Sequence, residues 1–308
     1  MTVNNNIRIP TKTELLKSAN KFTRKRLWKL WLLTRVMVSA NSRSYGGLCH
    51  RYLRWVDDFV DNVEIETNRK RDFVKSQKLL LMKIINRENF TINFVEEFDL
   101  YYLIEFALEN KRKIIINEVD NTLQGLLNDV DRIENGGIFT EKELKKIITL
   151  QSESFCKMVN HFLLPQYDFE SEPIFNGAFF WHVLLIRDFV EDASAGFINI
   201  SREDIEKFNL NTNDLISDEK KRIWLKYKFP FILSLLEREK KVLNTLPLKI
   251  KLFWVPGYFL ILFELIRVKE YGYRFGTNIK KNGLKEIVAF AKTTRLYLKF
   301  CLGVFVKQ

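Results

Sequence analysis

The chain has 308 residues, 46% of them apolar, with 26 Phe against only 12 Gly and 6 Pro; so few turn formers exclude a sandwich or barrel, and the apolar share is enough for one large helical core. Its formal charge of +12 admits nucleic acid, anionic lipid or a phosphorylated substrate as partner. Lys and Arg gather at 21–29, 111–113, 220–222 and 280–285 with no zinc spacing, RNA-binding signature or Arg-Gly repeat beside them, so nucleic acid is set aside.

Apolar residues recur at three and four along the whole chain, which predicts helices over 11–20, 24–40, 44–63, 68–87, 91–110, 112–134, 140–163, 174–195, 202–208, 217–245, 249–273 and 282–306. No period-two stretch flanked by turn residues interrupts them, and no repeat or low-complexity linker divides them. The expectation is an all-α chain forming one domain, 1–308. Ahead of the first helix there is no charged, apolar and small-residue leader, and Cys49, Cys156 and Cys301 have neither disulfide nor metal-ligand spacing. A cytoplasmic, reducing setting is therefore expected.

The helix over 44–63 brings the first chemistry, in Arg54-Trp55-Val56-Asp57-Asp58-Phe59-Val60-Asp61. Asp57 and Asp61 are four apart and share a face, one turn above the other. Two like charges at that spacing weaken an isolated helix unless a cation lies between them, and hard carboxylate oxygens suit Mg²⁺, which commonly bridges carboxylates to substrate phosphates. Next, Asn135-Gly136-Gly137 stops a helix, and Thr140 with Glu143 three residues later makes a capping box for its successor.

The helix over 174–195 repeats the acidic device: Arg187-Asp188-Phe189-Val190-Glu191-Asp192 again sets two aspartates four apart, with Glu191 beside them. Two such pairs on separate helices, each with an arginine nearby, could face one another across a cavity and grip a diphosphate through shared metal ions. After Gly196 the chain restarts at Ser201 and Asp204. The longest apolar run, Leu252 to Ile266, is about fifteen residues and contains Pro256 and Glu264, short of the roughly 20 that cross a bilayer; a core helix is expected there. His50, His161 and His182 have no metal-ligand or triad spacing and read as packed or surface histidines.

The second segment resembles the region of squalene, phytoene and dehydrosqualene synthases in which L-R-D-x-x-E-D is followed by a short basic or glycine stretch and I-Y-L-P. Here Leu185-Ile186-Arg187-Asp188, Glu191-Asp192 and Gly196-Phe197-Ile198-Asn199-Ile200-Ser201 follow that pattern in order. The first segment is similar to the family's C-R-x-x-D-D-x-x-D, with Arg54, Asp57, Asp58 and Asp61 at the matching places. A weaker likeness joins Phe263-Glu264-Leu265-Ile266 and Tyr271-Gly272-Tyr273-Arg274-Phe275 to the family's late helix and its G-Y-D-V-F turn.

The resemblance implies an isoprenoid-synthase-type helical bundle around a central apolar pocket, with both aspartate helices at its mouth. It also implies two or three Mg²⁺ ions bound with substrate diphosphate by Asp57, Asp58, Asp61, Asp188, Glu191 and Asp192, and Arg54 and Arg187 hydrogen-bonding diphosphate oxygens. The implied reaction is a head-to-head prenyltransfer joining two prenyl diphosphates of C10 to C20. This chain departs from the family at two places: Leu184 stands where an Asn helps ligate magnesium, and Trp181 where a Gln stands, and neither can hold a hard cation. Two alternatives follow from the departures, a terpene-synthase-like lyase or cyclase acting on one prenyl diphosphate and a catalytically inactive assembly or binding protein. The apolar product and basic-aromatic stretches such as Arg24 to Trp31 lead to a further expectation of peripheral, salt-sensitive membrane association.

Overall fold

In the computed structural model the described residues are 1–4, 7–26, 28–134, 136–167, 177–194, 196–210, 218–273 and 282–306. They contain thirteen helices and one pair of two-residue strands. The chain forms two compact units, residues 1–131 with 154–169 and residues 132–153 with 170–308.

The first unit holds α1 (Lys12–Arg26), α2 (Trp28–Met37), α3 (Ala40–Asp61), α4 (Thr67–Ile85), α5 (Glu97–Glu109), residues 113–131 of α6 (Lys113–Glu134) and residues 154–163 of α7 (Glu141–Leu163). The long helix α3 packs against α1 and α5. Its buried row Leu48, Tyr52, Val56 and Val60 recurs at four, the spacing that puts side chains on one face, and beside that row Asp58 and Asp61 are exposed while Asp57 is half-buried. At Gly47 the two helices are close enough that a Cβ would just touch the Ala19 backbone, at 3.4 Å. The register of α3 on α5 is pinned by Arg51, which donates two bonds to the fully buried Asp99 at 2.6 and 2.5 Å. Tyr52 extends this with a hydroxyl bond to Gln77, whose amide reaches Glu97 at 2.8 Å. The helix expected from residue 91 begins instead at Glu97, because Thr91–Ile92 pair in parallel with Thr2–Val3 as β2 and β1.

The second unit holds residues 132–134 of α6, residues 141–153 of α7, α8 (Ala178–Arg187), α9 (Phe189–Ser194), α10 (Arg202–Lys207), α11 (Asp218–Thr245), α12 (Leu248–Glu270) and α13 (Gly283–Phe305). Helix α8 lies against α11 and α12, and α13 against α11 and α12. Aromatic rings supply much of this core: Tyr258 of α12 stacks on Phe179 of α8 at 5.9 Å and on Phe300 of α13 at 4.5 Å, and meets Phe180 edge-on at 4.6 Å. Beneath them the buried Glu239 of α11 accepts the Phe179 N–H at 2.8 Å and the Tyr258 hydroxyl, fixing the start of α8. The expected capping box forms: Thr140 N–H and hydroxyl both donate to the Glu143 carboxylate, and the Glu143 N–H returns to Thr140 Oγ1. No described helix is long and apolar enough to cross a membrane, so the Leu252–Ile266 run is part of the core helix α12.

The predicted helix over 174–195 is two helices, with the backbone opening at Asp188 (φ −92°, ψ 2°). Successive residues on a regular helix point about 100° apart and cannot face each other. Arg187 forks onto Asp188 at the joint between the two helices, Nε to Oδ1 and Nη2 to Oδ2, both at 2.6 Å. Below it, Gly137 and Gly196 bring two turns together. With φ of +75° and +92° both use glycine's left-handed freedom, and a Cβ on Gly137 would lie 2.3 Å from the Gly196 carbonyl. Ile198 N–H then bonds the Gly137 carbonyl and Arg202 N–H the Phe139 carbonyl, laying 197–202 alongside 137–139.

Candidate active site

The first acidic cluster lies at the C-terminal end of α3. Arg54 grips two carboxylates from one turn back, Nη1 to Asp57 Oδ2 at 2.6 Å and Nε to Asp58 Oδ1 at 2.7 Å, and Asp58 meets Arg26 at 3.5 Å. Burial and the like charge of Asp61 push the Asp57 carboxyl up to about 7, with Asp58 and Asp129 of α6 adding to the push against Arg54's pull. Asp61 is exposed, and its charge partly holds up the ammonium of the buried Lys70, which burial pulls down. Asp57 thus bears a charge that its surroundings resist even with a guanidinium in contact. A divalent cation at Asp57 and Asp61 would relieve that resistance, and carboxylate oxygens are donors of the type Mg²⁺ takes.

The second cluster lies at the joint between α8 and α9. Asp188 is held by Arg187, and Asp192, one turn on, accepts a 2.6 Å bond from Asn199 Nδ2. Asn199 Oδ1 accepts in turn from Arg132 Nη1 at 3.2 Å, and the Arg132 guanidinium lies over the Phe139 and Phe197 rings at 4.9 and 5.1 Å. Asp192 is therefore aimed by a polar chain that the paired glycine turns assemble. The side chain of Glu191, the remaining expected ligand, lies outside the described residues, as do Arg274 and Phe275 of the late turn. Of that turn, Tyr271 and Gly272 close α12, with Arg222 donating to the Gly272 carbonyl at 2.7 Å.

Asp57, Asp58, Asp61 and Arg54 come together in the first unit, Asp188, Asp192 and Arg187 in the second. Among the described residues no three His, Cys, Asp or Glu side chains form a ready cage for a metal ion. Magnesium needs no such cage when phosphate oxygens and water complete its shell. Trp181, at the expected glutamine position, donates its indole N–H to Gln151 at 3.2 Å. The three histidines are held neutral, each lowered to about 4 chiefly by burial, as packed residues are.

The second unit also contains a cavity of about 690 Å³, lined from α8 by Ala178, His182, Leu185 and Ile186 and from α11 by Phe231 and Leu235. Those α8 residues sit roughly 100° around the helix from Trp181, Leu184 and Asp188.

Asn199, Arg132 and Asp129 are the site residues that sequence reasoning passed over. Asn199 stood inside a quoted motif, but its bond to Asp192 depends on the Gly196 turn, and Arg132 lies 67 residues from Asn199, beyond any spacing rule.

The fold these elements define is that of the isoprenoid-synthase helical class expected from the two acidic segments. A dehydrosqualene synthase, solved in complex with a ligand, matches with a TM-score of 0.66 and 14% identity, over 93% of this chain and 97% of that one. The squalene synthase HpnC from Alicyclobacillus acidocaldarius matches with a TM-score of 0.62 and 14% identity, over 87% and 98%. No protein-family model and no curated relative matches the sequence.

Proposed function

We propose that this chain is a Mg²⁺-dependent prenyltransferase that ionises prenyl diphosphates of C10 to C20 and joins two of them head to head with release of diphosphate. The observation that carries the reading is the α3 cluster, in which Asp57, Asp58 and Asp61 stand within five residues of one helix and Arg54 pairs Asp57 at 2.6 Å and Asp58 at 2.7 Å, a gathering of hard oxygen donors of the kind that suits a divalent cation. Its support is the shared fold with a dehydrosqualene and a squalene synthase over most of the chain.

In this reading each cluster would hold metal-bound diphosphate, Asp57 and Asp61 with Asp58 next in sequence in the first, Asp188 and Asp192 with Glu191 in the second. Magnesium supplies neutralising charge for the departing diphosphate. Arg54 and Arg187 supply forked N–H donors of the shape that phosphate oxygens accept, at the two places where leaving-group charge develops. Asn199, itself held by Arg132, would keep the Asp192 carboxylate oriented through its bond to Oδ2.

One observation favours a second reading, a binding or assembly protein without turnover. Leu184 and the indole of Trp181, tied to Gln151, occupy the places where the resembling enzymes carry amide side chains. Purified protein incubated with Mg²⁺ and C10 to C20 prenyl diphosphates, singly and in pairs, separates the readings. A hydrocarbon of twice the substrate's carbon number supports prenyltransfer, a monomeric hydrocarbon or alcohol supports a lyase, and intact substrate supports the binding protein.

A further inference from the structure

Helix α13 carries an apolar stripe that no other described residue covers. Its inner face, Ala289, Thr293, Phe300 and Val304, is buried. On the opposite side Leu284, Ile287, Leu298, Leu302 and Phe305 follow one another at 3, 11, 4 and 3 residues, the spacing of a single helical face. They are open to solvent, Leu284 at 72%, Ile287 at 67% and Leu302 at 62%. Scattered exposed leucines need no explanation, but a stripe running the length of a 23-residue helix does.

The flank of the stripe is basic. Lys285, Lys292, Arg295 and Lys299 fall on one shoulder of it, and the helix contains a single acid, Glu286, which is occupied by the Tyr271 hydroxyl and lies 3.9 Å from Arg267. Lys292 reaches Glu270 at 2.7 Å, whereas Arg295 and Lys299 meet no acid among the described residues. A second copy of α13 laid on this face about a two-fold axis would bring Arg295 and Lys299 against their own counterparts with no carboxylate to balance them. Anionic headgroups complement both features at once, the apolar stripe entering the acyl boundary and the cations meeting phosphate.

We propose that the outer face of α13 is a membrane-docking surface that lies in the plane of an anionic lipid leaflet. This goes beyond the reaction and does not rest on it. It also places the contact on α13 rather than on the Arg24–Trp31 stretch, where Arg24 and Arg35 already lie over the Trp31 ring and Arg26 meets Asp58.

The test is co-sedimentation of the full chain with vesicles of phosphatidylcholine alone and of phosphatidylcholine with about 30% phosphatidylglycerol, at low and at 0.5 M salt. The expected result is binding to the anionic vesicles at low salt. Leu298→Ser/Leu302→Ser should weaken it about tenfold per leucine, and Arg295→Glu/Lys299→Glu should abolish it. All four side chains are exposed, so both variants should keep the parent melting temperature; the two changes are independent, so one misfolded variant leaves the other to decide. Equal binding by parent and variants, or no binding by the parent, overturns the proposal. So does a dimer in sedimentation velocity that dissolves in the leucine variant while vesicles are ignored.

Discussion

Glu239→Gln tests how α8, the helix leading to Asp188, is held. Glu239 is 4% exposed, accepts the Phe179 N–H at the first turn of α8 and the Tyr258 hydroxyl of α12, and burial pushes its carboxyl up to about 7 from 4.5. The folded protein therefore keeps this proton between pH 4.5 and 7 while the unfolded chain gives it up. The group's contribution is fully present below pH 4.5 and is lost as pH rises to 7, because the slope of stability with pH follows the protons bound by the unfolded minus the folded state. The full excursion is about 3 kcal/mol at about 1.4 per pH unit. Glutamine is neutral and of the same shape; its carbonyl accepts from Phe179 N–H, and the Tyr258 hydroxyl, which donates to Glu239, turns to accept from the amide N–H. The variant should therefore match the parent near pH 4.5 and exceed it by about 1–3 kcal/mol at pH 8. Urea denaturation of both proteins at half-unit pH steps measures the difference, and a difference that stays flat from pH 4.5 to 8 refutes the reasoning. Glu239→Ala leaves two buried donors without this acceptor and should cost about 3–5 kcal/mol at every pH.

Asp57→Asn removes the like charge facing Asp61 at the price of the Arg54 pair. The shift to about 7 taken whole is about 4 kcal/mol, but the side chain is 34% exposed and screened, so the metal-free protein should gain at most about 1 kcal/mol above pH 7 while losing Mg²⁺-dependent pyrophosphate binding in calorimetry. A parent-like magnesium response in that variant would count against the α3 cluster as a metal site. Gly137→Ala places a Cβ 2.3 Å from the Gly196 carbonyl at φ +75° and should destabilise by about 3 kcal/mol or more in thermal melts; a melt within a degree of the parent would show that the turns do not depend on this contact. Asn199→Ala takes a donor from Asp192 and an acceptor from Arg132, for which about 1–3 kcal/mol of stability is expected. It should also weaken magnesium pyrophosphate binding, and unchanged binding would make Asn199 a purely structural residue.

Much of the fold was legible because its signals are local. The three-four periodicity places α6, α7, α11 and α13 nearly to their ends, whereas α3 starts a turn earlier than read, and Thr140 with Glu143 caps α7 as the capping-box pattern requires. The break at Asp188 was not legible, since Arg187 and Asp188 are both compatible with a helix and no Gly or Pro stands at the joint. The short ladder of β1 with β2 joins residues nearly ninety apart and has no period to read. At the site, the carboxylate pairs were readable from spacing and each arginine stands beside its aspartates. The supports, Asn199 on Asp192 and Asp129 near Asp57, come from tertiary packing and left no trace in any window of sequence.

The central claim is that two acidic segments on this helical fold ionise prenyl diphosphates, and product mass measures it most directly. Farnesyl diphosphate with Mg²⁺ and the purified chain should give a C30 product and free diphosphate. Asp188→Asn, whose fold should be intact by circular dichroism, should give neither, and chelating the metal should silence the parent. Diphosphate release that survives in Asp188→Asn, or a parent that leaves every C10 to C20 substrate intact in the presence of Mg²⁺, would contradict the account.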